Sequence, residues 1–307
     1  MNGVVIIGPT AVGKSSLGMN LAEKLGGEII SIDSRQIYRG LDIGTAKPSA
    51  DEQARIRHHC IDILDITEKS NARWFSDLAR QSMEKIRSAG KIPVLVGGSG
   101  LYLRSITQGL FEIDLDPSDR LEFEKGIEDV ATMVLYSRLR SSDQESAERI
   151  HENDRYRIVR ALEVQCLTGM SLSDHFSRQK EECWDGIRGL IRIGLDMDRE
   201  LLRARIALRT GEMYDAGWPD EVSDLLEGGA DPASPGLQTL GYPETIRFVR
   251  GELSLRAAKE KIAMLTGQYA KRQMTWFRKE AEVTWFDAED MNLRDSVLNI
   301  LDSADAS

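Results

Sequence analysis

Cysteine is scarce in this 307-residue chain, with only Cys60, Cys166 and Cys183, none in a Cys-x-x-Cys spacing. That excludes a disulfide framework and a zinc finger, and leaves each thiol to act as a small buried hydrophobe. Long apolar runs are missing too. No stretch approaches the ~18 residues of a membrane span, and no basic segment precedes the short run Val4–Ile7, so the expectation is a cytoplasmic protein with no membrane partner. There is no internal repeat and no low-complexity segment. The guanine-reading Asn-Lys-x-Asp of GTPase switches is also absent, which argues against a binding switch of that class.

What is present is ordinary soluble composition, 41% hydrophobic and 29% charged, enough to build a core. At roughly 150 residues per domain the length suggests two domains, or one domain with a large insertion. The net charge of −10 is unevenly spread. Residues 112–129 hold eight acids against two bases, and residues 280–307 eight against one. Residues 259–279 hold six bases against the single Glu260, so an acidic chain can still turn a basic face to a polyanion. A solvated helix face explains that charge equally well.

The first hundred residues alternate between strand and helix patterns. Val4–Ile7, Glu28–Ile32, Ile61–Leu64 and Ile92–Val96 read as strands, and Lys14–Leu25 reads as a helix. Residues 72–89 read as an amphipathic helix carrying Trp74, Phe75, Leu78, Met83 and Ile86. From Asp116 to about Lys180 the strand signal vanishes, with helix starts expected at Asp116-Pro117 and Asn153-Asp154. Leu190–Leu195 restores a strand, followed by helices over Glu200–Tyr214, Glu244–Arg250 and Leu253–Lys279. The expected fold is α/β, a P-loop NTPase-like parallel sheet flanked by helices with an inserted all-helical domain. Its core is discontinuous, residues 1–115 and 185–307, with the insertion at 116–184.

Gly8-Pro9-Thr10-Ala11-Val12-Gly13-Lys14-Ser15 fits G-x-x-x-x-G-K-[ST] between a strand and a helix. The pattern arises by chance in about one chain of this length in a hundred, and the flanking elements reduce that further. Its glycines let backbone N–H groups converge on a phosphate, Lys14 adds a mobile charge, and Ser15 is the expected Mg²⁺ ligand. Asp33 ends the second strand, where open α/β sheets face their ligand. A carboxylate there can bind Mg²⁺ through water, accept a proton from a nucleophile, or merely cap a turn. The polar stretch Arg35–Pro48 that follows resembles a substrate loop. On these features alone a P-loop small-molecule kinase is the alternative to the reading below.

Gly8–Ser15, Ile30–Pro48, Val96–Tyr102, Ile150-His151 with Asn153-Asp154, Arg157–Val164 and Gln268–Trp276 together closely resemble the bacterial tRNA dimethylallyltransferases. The matches follow the family's order from residue 3 to about 286. The resemblance implies transfer of a dimethylallyl group from dimethylallyl diphosphate to N6 of the adenosine 3′ to the anticodon, position 37, in tRNAs reading codons that begin with U. It implies Mg²⁺, a tRNA anticodon stem-loop as partner, and a monomer. By the same carry-over Thr10 touches the bridging oxygen, Lys14 and Ser15 the diphosphate and metal, Asp33 takes the N6 proton, and Arg209 clamps the diphosphate. Contacts to tRNA fall on Asp33, Ser34, Arg35 and Gln36, on Ser99 and Arg120, on Tyr156, Arg157, Ile158, Val159 and Arg160, and on Gln238, Thr239, Leu240, Gly241, Tyr242 and Pro243. Without the resemblance, Arg157 and Arg160 read equally as a salt-bridged helix face with Asp154 and Glu163. Trp276 and Phe277 read as core rather than a base-stacking platform, and His58-His59 as strand-flanking rather than metal-binding. His151 matches a family histidine without a chemical role. Three positions depart from the family pattern: Gly267 replaces Arg, Arg57 replaces Pro, and Pro243 replaces a basic residue.

Overall fold

A computed structural model describes residues 1–109, 117–181 and 184–305. The chain divides into two compact units, Met1–Ile106 with Asp185–Ser307, and Thr107–Trp184. The first contains β1 (Gly3–Ile7), α1 (Lys14–Leu25), β2 (Glu28–Ile32), α2 (Ala50–Arg55), β3 (His58–His59), α3 (Ala72–Ser88) and β4 (Pro93–Gly97), before α4 (Gly100–Gln108) leads out of it. The second holds α5 (Pro117–Ile127), α6 (Thr132–Ser142), α7 (Gln144–Arg149), α8 (Arg155–Thr168) and α9 (Leu172–Glu181). The chain then returns through β5 (Leu190–Asp196), α10 (Arg199–Asp215), α11 (Trp218–Glu227), α12 (Tyr242–Val249), α13 (Leu255–Phe277), β6 (Val283–Asp287) and α14 (Leu293–Asp305).

Six strands form one parallel sheet in the order β3-β2-β4-β1-β5-β6. Every residue of β1, β2 and β4 is buried, as expected for apolar runs covered by helices on both faces. Val4 and Ile6 of β1 join Leu17 and Leu21 of α1, Ile193 and Leu195 of β5, and Val297 and Leu301 of α14 in one cluster. Gly97 is required where β4 ends, because a Cβ there would fall 2.0 Å from the Ile32 carbonyl oxygen of β2.

Three expectations are corrected. The third strand is His58–His59, paired with Ile29 and Ile30, whereas Ile61–Leu64 contributes only a lone bridge from Leu64 to Tyr38. Backbone pairing recruits the two histidines, and Glu28 compensates by meeting His59 Nε2 at 2.6 Å. Trp74 lies on the outer face of α3, while Phe75, Met83 and Ile86 are buried. The insertion begins at Thr107, ahead of the expected Asp116.

The helical unit has its own core of Ile127, Leu135, Leu139, Ala147, Ile150, Ile158 and Ala161. Asp143 holds it together from within. Its carboxylate accepts from Ser146 N at 3.0 Å, capping α7, and from Ser173 N and Oγ at 3.1 and 2.7 Å, tying in α9. These hydrogen bonds outweigh the opposing effect of burial and hold the Asp143 carboxyl below the usual carboxylate range.

Candidate active site

The P-loop curls between β1 and α1 as its glycines allow. Gly8, Ala11 and Gly13 all have positive φ, and a Cβ on Gly8 would sit 2.5 Å from the Leu195 carbonyl oxygen. Lys14 opens α1 and folds back so that Nζ donates to the Pro9 carbonyl at 2.6 Å. Burial lowers its pKa to about 7; nearby Arg209 adds to that shift, and Asp33 opposes it. Arg209, carried in on α10, is half-buried, and its Nη1 lies 3.4 Å from Thr10 Oγ1. Lys14 and Arg209 line the same cavity, where an anion would meet both cationic groups.

Two cavities, of about 470 and 370 Å³, meet over this loop and share Thr10, Ala11, Asp33, Thr45, Arg209 and Tyr269 as walls. The larger reaches over Gly13, Lys14 and Ser15. The smaller is lined by Ser34, Arg35, Gln238, Thr239, Leu240 and Arg272, together with apolar Ile206, Met213, Trp218 and Ile262. Asp33 stands at the junction. One carboxylate oxygen accepts the Arg35 N–H at 2.8 Å, so Asp33 both caps a turn and faces the site. Burial, with Asp33 adding to it, raises Tyr269 at the same junction to about 12.

Residues that hold these walls gave no signal of their own in the sequence. Gln273 on α13 is 6% exposed; its Oε1 accepts the Thr10 N–H at 2.8 Å and its Nε2 donates to the Gly98 carbonyl at 2.9 Å. It lies inside the family-like run 268–276, yet nothing there marks it as the pin between P-loop and β4. The loop after Asp33 is held by Lys47, whose Nζ reaches Asp42 and Asp62 at 2.5 Å each and the Tyr38 carbonyl at 2.9 Å. Glu221 of α11 accepts the N–H groups of Asp42 and Ile43 at 2.8 and 2.7 Å, and the Tyr242 hydroxyl at 2.6 Å.

The other expected residues separate by position. Gln36 lines the larger cavity but spends its side chain on Ser31 and on the Thr45 and Ala46 carbonyls. Ser99 starts α4, accepting the Leu103 N–H through its carbonyl. Tyr242 is buried under Glu221, and Ile158 sits in the helical core with the half-buried Val159 packed beside it. Gly241, at φ 95°, leaves room for the Trp218 ring, and Pro243 occupies the first turn of α12, a position that suits proline. In the helical unit Tyr156 is 78% exposed, while Arg157 pairs with Asp154 at 3.3 Å and Arg160 with Glu163 at 2.6 Å. The salt-bridged face is therefore present. On α13, Lys259 and Lys261 are matched by Asp215 and Glu244, and just beyond the helix Arg278 meets Asp196, so the basic stretch is partly neutralised. Phe277 is fully buried as core, while Trp276 is half-buried, packed on Gly100 beneath the Arg104 guanidinium.

Comparison with known proteins bears on the chemistry. A family model described as IPP transferase matches residues 36–280. The chain is 44% identical to a tRNA dimethylallyltransferase of Gloeobacter violaceus, over 92% of this chain and 91% of the relative. It is 42% identical to one from Bacillus cytotoxicus, over 94% and 90%. Among solved structures it is similar to the tRNA isopentenylpyrophosphate transferase of Bacillus halodurans, with a TM-score of 0.72, 36% identity and coverage of 99% and 97%. A eukaryotic dimethylallyltransferase acting on tRNA matches with a TM-score of 0.81 at 28% identity, over 97% of this chain and 77% of that one.

Proposed function

The chain belongs to the IPP transferase family of tRNA dimethylallyltransferases, and from that premise we propose how its site carries out the transfer. The reaction moves a dimethylallyl group from dimethylallyl diphosphate to N6 of the adenosine at position 37 of tRNAs reading codons that begin with U. The observation that carries this reading is the meeting of two cavities at Thr10, Asp33 and Arg209, one of them over a P-loop. A reaction between a diphosphate and a base extruded from an RNA loop needs two entrances and one junction.

In this reading the diphosphate lies over Gly8–Ser15, with Lys14 and Arg209 on its oxygens and the Thr10 hydroxyl at the bridging oxygen. The adenine enters the smaller cavity past Ser34, Arg35 and Gln238–Leu240. N6 attacks the allylic carbon, the carbon–oxygen bond breaks with its electron pair leaving on diphosphate, and the N6 proton passes to the Asp33 carboxylate. Positive charge fixed before the bond breaks stabilises the leaving group as its charge grows.

Beside the P-loop the larger cavity offers Ser15, Ser16 and Asp33, with Glu52 and Glu212 elsewhere on its wall, and the described residues contain no group of three or more His, Cys, Asp or Glu placed for a metal. Such a sparse donor set fits Mg²⁺ that is held mainly by diphosphate oxygens and water, with Ser15 as the protein ligand. When bound, Mg²⁺ neutralises part of the leaving group's charge. Arg120, Tyr156, Arg157 and Arg160 of the helical unit are proposed to contact the anticodon stem-loop. Within the described residues no helix is long and apolar enough to cross a membrane, and we place the enzyme, as a monomer, in the cytoplasm with its tRNA.

The test is diphosphate release from labelled dimethylallyl diphosphate. It should require an anticodon stem-loop with adenosine 37, label that base, and stop when the adenosine is replaced by a purine without the exocyclic amine. Phosphoryl transfer from ATP to a metabolite, with no label in RNA, would overturn the reading.

A further inference from the structure

Glu163 is the most deeply buried carboxylate of the helical unit's arginine face, with 2% of its side chain exposed. Two helices converge on it. Arg160, three residues earlier on α8, donates from Nη1 to Oε2 at 2.6 Å. Arg120, from α5, brings Nε to 3.0 Å from Oε1, close enough for an ion pair but off the hydrogen-bond direction, and also reaches Glu124 at 3.3 Å. A carboxylate buried this far needs compensating charge, and here it takes it from both arginines.

The arginines themselves are not consumed by this pairing. Arg120 is 51% exposed and Arg160 39%; Arg120 shares its Nε between Glu163 and Glu124, Arg160 turns Nη1 to Glu163, and the other nitrogens of both forks have no partner among the described residues. A guanidinium is a rigid planar fork, so fixing one nitrogen fixes the direction of the others. Two forks meet on one carboxylate, Arg160 by a directed hydrogen bond and Arg120 by an ion pair it shares with Glu124, and their outward nitrogens form an arrangement suited to the non-bridging oxygens of a phosphate.

We propose that Glu163 is a positioning residue that presents Arg120 and Arg160 as a preformed clamp for an RNA backbone phosphate. The proposal rests on the reading that tRNA is the substrate. It also makes a prediction opposite in sign to that of charge alone. Removing a carboxylate near a polyanion should strengthen binding by field effects, whereas releasing two pinned arginines should weaken it.

The experiment measures anticodon stem-loop affinity, its salt dependence, and steady-state constants for Glu163→Gln, Arg120→Ala/Arg160→Ala, and all three substitutions together. The Gln variant should bind RNA about tenfold more weakly, the scale of a coupled pair, with kcat at saturating RNA unchanged. Added to the double Ala background, it should cause no further loss. If the Gln protein fails to fold, Arg120→Lys and Arg160→Lys test the same point, since each keeps the charge and loses the fork; weaker binding is expected. The proposal is overturned if Glu163→Gln binds RNA as tightly as wild type or more tightly. Equal weakening with and without the arginines overturns it as well, as does unchanged binding in the double Ala variant. Transfer of label to tRNA by the wild-type enzyme tests the underlying reading separately.

Discussion

Replacing Gln273 with Met would keep the side chain's length while removing both of its hydrogen bonds. The Thr10 N–H and the Gly98 carbonyl would each lose the partner now at 2.8 and 2.9 Å. An unpaired buried backbone group costs about 1–3 kcal/mol, so the pair sets a range of about 2–6 kcal/mol. Gln273 lines the larger cavity, which lets water reach the freed groups, so the loss should fall near the lower end, about 2 kcal/mol. The effect on turnover should exceed that on stability, because the Thr10 hydroxyl meets Arg209 at the junction and a misplaced group can cost about 10²-fold in rate. Denaturant titration gives the first quantity and single-turnover transfer the second. Gln273→Glu adds a sign test: it can still accept from Thr10 but places a negative charge beside the diphosphate, so donor affinity should fall below that of the Met variant. A Met variant with wild-type stability and rate, or a Glu variant that binds donor better than Met, would refute the argument.

Lys14, at about 7 without ligand, is largely neutral at pH 8 and should be protonated when the diphosphate binds. Donor binding should therefore take up close to one proton at pH 8 and almost none at pH 6, read by calorimetry in buffers of different ionisation enthalpy, and Lys14→Met should abolish the difference. Asp33→Asn should bind donor and RNA normally while single-turnover transfer falls by about 10²-fold or more; a near-wild-type rate would remove Asp33 from the proton-acceptor role. Gly267 lies within α13 with open space where a Cβ would stand, so Gly267→Ala should raise stability by about 1 kcal/mol in a denaturant titration.

The elements legible in the sequence were those whose apolar residues cluster or repeat. Lys14–Leu25 and Glu28–Ile32 match the observed α1 and β2, and Asp154 caps α8 as the Asn153-Asp154 start implied. β6 and α14 escaped notice because Val283–Asp287 is short and half-exposed, and the acidic tail hides Val297 and Leu301. In the site, Gly8–Ser15, Asp33 and Arg209 were legible through motif and resemblance. Gln273 and Glu221 were not, because each acts on groups distant in sequence, and Lys47 was not, because it reaches Tyr38, Asp42 and Asp62 across an irregular loop; neither kind of contact leaves a periodicity. The burial of Tyr242 and Ile158 was equally hidden, since a motif match says which residues recur together and not which way they face.

The pairing of β1 with both β4 and β5 has a consequence for the chain as it is made. β1 leaves the ribosome before both partners, and the partner for one of its edges begins at Leu190, after the whole helical unit has been synthesised. At ~5–20 residues per second, that edge waits roughly 10–40 s. Throughout that interval a fully apolar strand presents unpaired backbone groups to any passing chain. Arg209 and Gln273, which complete the phosphate site, emerge later still. A chain interrupted before Leu190 would thus carry a P-loop beside an unpaired apolar strand edge and no complete site.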